Sequence, residues 1–168
     1  MYDIITIGTA TRDVFLKSEL FRVLKDPSHL KKIGFPTGEA QCFALGGKLE
    51  VGEPVFTTGG GATNAAFTFR RQGLRTAALI KIGEDESAEQ ILRELEREKI
   101  KTFAARDNKR GTAYSVVLLA PGGERTILVY RGASEDLKSG EVPWRKLQSR
   151  WAYISPGKIS LSLVSKFF

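Results

Sequence analysis

Gly59-Gly60-Gly61-Ala62-Thr63-Asn64 is the segment best suited to hold a ligand in this 168-residue chain. Glycines let a ligand come close to the backbone, and a helix opening after them would aim N–H groups and the positive end of its dipole at an anion or polar group. The same triplet also serves a tight turn that packs a helix on a sheet, and the motif alone leaves both readings open. It is not a Walker A loop, because G-x-x-x-x-G-K-[ST] occurs nowhere in the sequence. The dinucleotide fingerprint fits poorly: Asn64 stands where the third glycine belongs, and the loop does not follow the first strand. Asp13, shortly after Gly8, adds a carboxylate that can accept two hydroxyl hydrogen bonds, placed where ligand-contacting residues gather in open α/β sheets. By itself it also reads as an exposed turn aspartate, and Asn64 as a helix cap.

Little else in the chain offers chemistry. His29 is the one histidine, so catalytic triads and zinc sites have almost nothing to draw on, and no metal site is expected. The single cysteine, Cys42, excludes an internal disulfide and reads as packing rather than as a nucleophile. The net charge of +7 raises the question of a nucleic-acid partner. Arg93, Arg97 and Lys99, however, alternate with Glu94, Glu96 and Glu98, the pattern of a solvated helix face, and no basic stripe interleaved with aromatics appears. No nucleic acid is therefore expected. No run approaches the roughly 18 apolar residues of a membrane span, and no leader is visible, so the expectation is a cytoplasmic protein with no membrane partner.

The elements that must position these residues follow from periodicity. Asp3 to Gly8 reads as a buried strand, and residues 14 to 58 as an irregular excursion in which Gln41 to Leu45 and Val51 to Thr57 pair about Gly46-Gly47. Ala62 to Gln72 is helix-compatible, with Ala62, Ala65, Ala66 and Phe69 on one face and Gly73 as its stop. Thr76 to Ile82 reads as a strand, and Ser87 to Glu98 as an amphipathic helix with Ser87 and Gln90 as a capping box. That rhythm predicts a parallel sheet with right-handed crossovers. Ala113 to Ala120 and Arg125 to Tyr130 form a hairpin over Pro121-Gly122-Gly123-Glu124, a flap or lid, whose open strand edges invite a homodimer. Ala152 to Ser155 returns to the core. The apolar segment Ile159 to Phe168 stops without a cap on two phenylalanines, which gives the expectation of further sequence beyond Phe168.

Together these features resemble the ribokinase, or PfkB, family of carbohydrate kinases. Gly8-Thr9-Ala10-Thr11-Arg12-Asp13 is similar to the family's G-S-x-N-x-D segment, with Thr9 and Thr11 in place of serine and asparagine. Gly59 to Asn64, followed by Gly73 and Gly83, resembles its N-terminal glycine signature, and Gly83 to Ala88 its G-x-D-x-x-G step, with Ala88 for the last glycine. Gly111-Thr112-Ala113 and Gly123-Glu124-Arg125-Thr126 resemble its lid hairpin, and Gly132-Ala133 the element after it. The resemblance implies a parallel three-layer αβα core with a small β lid drawn from 14–58 and 111–131. Residues 1–168 would then form the N-terminal part of a ribokinase-like domain. It implies ATP-dependent phosphorylation of a hydroxyl on a small sugar or nucleoside, with Asp13, Gly60, Gly61 and Asn64 binding that substrate. ATP and Mg2+ are expected for the complete family member, but the family's D-T-x-G-A-G-D motif with its base aspartate is absent from the chain and the residues that bind ATP and Mg2+ are largely absent, so no catalytic residue is assigned and the chain alone is expected to be inactive. Asp136 follows a hairpin strand rather than opening a core helix and is not taken as the base. Two other readings stay open: a non-catalytic, truncated sugar- or nucleoside-binding module, and a nucleic-acid binder driven by charge.

Overall fold

Four parallel strands, Ser149–Ser155, Tyr2–Gly8, Thr76–Gly83 and Lys101–Asp107 in that order across the sheet, carry the core of the larger of two units. In a computed structural model that describes residues 1–167, the chain runs β1 (Tyr2–Gly8), β2 (Thr11–Lys17), β3 (Arg22–Lys25), α1 (Pro27–Leu30), β4 (Glu39–Cys42), β5 (Val55–Gly59) and α2 (Gly61–Arg71). It continues through β6 (Thr76–Gly83), α3 (Glu86–Arg97), β7 (Lys101–Asp107), β8 (Ala113–Leu119), β9 (Arg125–Tyr130), three short 3-10 turns, β10 (Ser149–Ser155) and α4 (Leu161–Val164). Strand β6 is buried at every position, as a central strand of a parallel sheet covered on both faces must be. Its side chains alternate accordingly. Ala78, Ile80 and Ile82 pack beneath α2 and α3 against Ala66, Ile91 and Leu95, whereas Ala77 and Leu79 pack on the other face with Ile5, Leu137 and Leu163. The fold is thus the expected α/β arrangement, with helices on one side and the turns after β9 and α4 on the other.

Contacts divide the chain into two units, one of residues 1–13, 57–115 and 129 onward, the other of 14–56 and 116–128. A second sheet takes the order β5-β2-β8-β9. Within the smaller unit, β3 and β4 pair antiparallel from Arg22↔Cys42 to Lys25↔Glu39, and Phe21 meets Phe43 edge to face at 5.4 Å. The expected pairing of 41–45 with 51–57 about Gly46-Gly47 is therefore wrong. β4 takes β3 as its partner instead, and β5 joins the second sheet. Pro54 has no N–H to offer a ladder, and the segment before it is tied elsewhere, Gly52 N donating to Lys17 O at 2.8 Å. The hairpin between β8 and β9 forms as expected, closed by Ala120 N donating to Glu124 O at 2.9 Å.

Two details of the helices also differ from expectation. The buried stripe of α2 is Ala62, Thr63 and Ala66, while Phe69 turns to meet the Tyr153 ring at 5.7 Å. Helix α3 begins earlier than Ser87, and its cap is Asp85, whose Oδ1 accepts from Ala88 N at 2.9 Å. The Ser87–Gln90 box does not form; the Gln90 amide donates to Glu86 at 2.7 Å. Asp85 is the better cap because one carboxylate also holds the chain before β8, accepting from Thr112 N and Thr112 Oγ1, each at 2.7 Å. Burial pushes its pKa up, but the Thr112 and Ala88 bonds and the nearby Arg106 outweigh it and leave the group below its ordinary value.

Asp85→Ala removes a helix cap and orphans the Thr112 donors, so equilibrium denaturation should show a loss of about 2–4 kcal/mol. Because the folded-state pKa is depressed, this contribution is complete above the ordinary carboxylate pKa and is lost as pH falls through the folded value. Asp85→Asn should accordingly show a shallower loss of stability than the wild type on acidification from about pH 5 to 3. Parallel curves would disprove the assignment.

Candidate functional site

The glycine loop lies beside the C-terminal ends of β1 and β10, which are in register at Gly8↔Ser155. Gly60 caps α2 with φ 103°, a left-handed conformation, and a Cβ there would stand 2.5 Å from Thr9 O and 2.7 Å from Ala10 Cα. Only glycine fits on both counts. The loop is stitched to the end of β1: Gly61 N donates to Thr9 Oγ1 at 2.9 Å and Ala62 N to Thr9 O at 3.1 Å. A Cβ on Gly61 would collide with Ser155 Oγ.

Asp13 meets this loop at Gly59. A Cβ on Gly59 would overlap the Asp13 carboxylate and lie 2.9 Å from Thr11 Oγ1. One carboxylate oxygen, Asp13 Oδ1, is buried and has no hydrogen-bond partner among the described residues. An acceptor withdrawn from water and left unmatched is costly, and such atoms in native proteins call for an explanation. A donor from a bound hydroxyl is one.

The structure thus brings together Asp13, Gly59, Gly60 and Gly61, and adds Thr9 and Ser155, which sequence reasoning did not single out as contacts. Ser155 gave no signal beyond ending a strand before Pro156-Gly157. Asn64 is exposed on the first turn of α2, its N–H donating to Gly60 O at 2.9 Å, and its side chain lines a cleft of about 480 Å³ with Thr58, Phe67 and Glu94. The N–H of Gly61 is engaged by Thr9, so a ligand would have to compete for it.

Glu94 departs most from the reading of α3 as a solvated face. Its Oε1 accepts from Arg12 Nη1 at 2.5 Å and its Oε2 from Thr58 N at 3.1 Å. Burial raises its pKa, yet the bonds from Thr58 and Arg12 prevail and hold it below the usual carboxylate value. Asp136 sits in a different environment. It is paired with Arg110 and lies 3.5 Å from Lys138 Nζ, while its carbonyl accepts from Lys81 Nζ at 2.9 Å. These are structural ties in the turns after β9.

A larger cleft, about 840 Å³, lies where the strands begin, between Tyr2, Lys101, Phe103 and Arg145, and shares no residue with the glycine loop. Open α/β sheets bind ligands at the carboxyl ends of their strands, so position outweighs size here. No group of three or more His, Cys, Asp or Glu side chains among the described residues is placed to hold a metal ion. No helix among them is long and apolar enough to cross a membrane.

Comparison with solved structures finds the same fold in several kinases. A ribokinase from Giardia lamblia superposes with a TM-score of 0.70 at 19% identity, covering 92% of this chain and 44% of its own. An adenosine kinase from Sinorhizobium meliloti gives 0.66 at 22% identity, covering 91% and 46%. A ribokinase from Cryptococcus neoformans var. grubii serotype A in complex with ADP gives 0.63 at 18%, covering 92% and 42%. The chain spans less than half the length of each of these. No curated protein matches it by sequence. The family model described as pfkB family carbohydrate kinase matches residues 29–166, a stretch that holds the glycine loop, α2 and α3 but begins after Asp13. With most of its length inside that match and a ribokinase-like sheet beneath the loop, the chain belongs to the pfkB family of carbohydrate kinases.

Proposed function

We propose that the chain grips the substrate of an ATP-dependent kinase that phosphorylates a hydroxyl of a small sugar or nucleoside, and that residues 1–168 by themselves bind without transferring phosphate. The observation that carries the reading is the buried, unpartnered Oδ1 of Asp13 pressed against a loop where only glycine fits. A carboxylate so placed accepts hydroxyl hydrogen bonds and orients a polyol; Gly60 and Gly61 complete the proposed grip by letting the substrate come close to the backbone, and Asn64, on the first turn of α2, by its amide. Family membership and the names of the structural neighbours, ribokinase and adenosine kinase, support a sugar or nucleoside as the substrate class.

In the reaction, γ-phosphoryl transfer needs an in-line hydroxyl, a base for its proton and charge stabilisation around the moving group. Asp13 and the loop supply the first of these by holding the hydroxyls in place, and positioning accounts for much of such a rate. The positive end of α2 favours negative charge nearby. No base is assigned on this chain, since Asp136 is engaged by Arg110 and Lys138. The family implies Mg2+ with the nucleotide, and no cluster of three or more His, Cys, Asp or Glu among the described residues marks a place for it.

Saturation-transfer NMR on the 168-residue polypeptide should show binding of D-ribose or adenosine, and a coupled assay should show no ATP turnover. No saturable binding across pentoses, hexoses and nucleosides would sink the substrate reading. Turnover that survives purification and vanishes in Asp136→Asn would show instead that the chain carries its own base.

A further inference from the structure

Two short segments meet at the grip, one ending at Asp13 and one at Gly59, and a single side chain holds both. Arg12 immediately precedes Asp13, and Thr58 immediately precedes Gly59. From α3, Glu94 bonds the first through Oε1 at 2.5 Å and the second through Oε2 at 3.1 Å. The Arg12 and Glu94 side chains are only 12% and 24% exposed, so water and salt screen the pair weakly. Desolvation offsets much of the attraction in such a setting, which makes net stability a poor account of why the pair is there. Geometry is a better one. The two segments are neighbours in the sheet β5-β2-β8-β9, and a carboxylate bonded through one oxygen to each adds a tie from α3 at the end of β5 next to the glycine loop. There Asp13 touches Gly59, with no room for a methyl group.

We infer that Glu94 is a positioning residue: by clamping Arg12 and Thr58 it sets the approach of Asp13 to the glycine loop, and so the affinity for a polyhydroxylated substrate. The inference rests on the reading of Asp13 as a hydroxyl acceptor. It makes Glu94 part of the site although nothing requires it to touch the ligand, and it assigns the contact between α3 and the loop a role beyond packing. Loss of the clamp leaves β5 beside β2 in their sheet but unties the Thr58 N–H and the Arg12 side chain, which loosens the end of β5 that leads into the glycine loop, and ordering it again on binding costs affinity.

The test compares Glu94→Ala and Glu94→Gln with Leu92→Ala, a change on the same helix at a residue packed on the core rather than on the loop. Hydrogen exchange at Thr58 through Gly61 should speed up selectively in Glu94→Ala, by about tenfold, the scale of one lost hydrogen bond. Binding of D-ribose or adenosine should weaken roughly 3–10-fold. Glu94→Gln, which keeps an acceptor oxygen, should fall between it and the wild type. Leu92→Ala should lower global stability and leave loop exchange and affinity near those of the wild type. If Glu94→Ala matches Leu92→Ala in loop exchange, or binds the probe as tightly as it does, the clamp is refuted. If the wild type binds neither probe, the failure belongs to the substrate reading beneath it.

Discussion

Lys81→Ala should destabilise the protein by about 3–5 kcal/mol, the range for removing one partner of a buried ion pair. Lys81 lies on β6 with its side chain 3% exposed, on the face that also carries Ala77 and Leu79. Its Nζ donates to both carboxylate oxygens of Glu141, at 2.8 and 3.1 Å, and to the carbonyl of Asp136 at 2.9 Å, with Asp107 at 3.4 Å. Removing the ammonium leaves two carboxylates and a carbonyl facing a cavity. Asp107 is held below its ordinary pKa by Lys109 N–H first, and by Arg110 N–H and Lys81 after it, against the opposing effect of burial, so it would remain charged near neutrality. Chemical denaturation should show a lower midpoint with an unchanged slope. A double variant, Lys81→Met with Glu141→Leu, should recover much of the loss, because replacing both members of such a pair by apolar groups is often neutral. A cost under about 1 kcal/mol for Lys81→Ala would mean that water reaches this site and that the network is not load-sharing.

The parts of the fold legible from sequence were those in which one local rule met no competitor. Glycines at 59–61 before an alanine-rich helix, with Gly73 after it, announced both the loop and the length of α2. The β-branched runs of β1 and β6 read correctly because a strand buried on both faces is apolar throughout. β7 was missed for the converse reason: at the sheet's edge it is only half-buried, and Lys101 to Asp107 mixes charge with alanine. β3 has no buried position, so no alternation marks it, and without it β4 was given the wrong partner. Lys81 was invisible inside an apolar strand, since its carboxylate partners come from distant segments.

The candidate site shows the same division. Asp13 and the glycines could be picked out as candidates only together, because each alone also reads as a turn, and it is their order along the chain that resembles the ribokinase family's substrate grip. Glu94 could not. Its neighbours alternate in charge, which describes a solvated face, and only the packed structure turns this one glutamate inward to Arg12 and Thr58. A pattern of charges along one helix says nothing about which of them meets a loop from elsewhere in the chain.

Asp13→Ala should abolish measurable binding of D-ribose or adenosine, with affinity lower by at least about 100-fold, the consequence of losing two hydrogen bonds to a charged acceptor at about 1.5–3 kcal/mol each. Its effect on stability should be small, within about 1 kcal/mol, because Oδ1 is buried without a partner and its removal orphans no donor among the described residues. Function and stability thereby separate at this residue, as they should at a group held for a ligand. Gly59→Ala is the contrasting case. Its methyl would enter the space of the same carboxylate, so either Asp13 or the loop must move, and both binding and stability should fall. Thermal melts of the two variants beside ligand titrations decide the matter. If Asp13→Ala is as destabilising as Gly59→Ala, the aspartate is a structural brace for the loop, and the assignment of hydroxyl recognition to it is wrong. If it melts like the wild type yet binds neither probe, the carboxylate serves the ligand and not the fold.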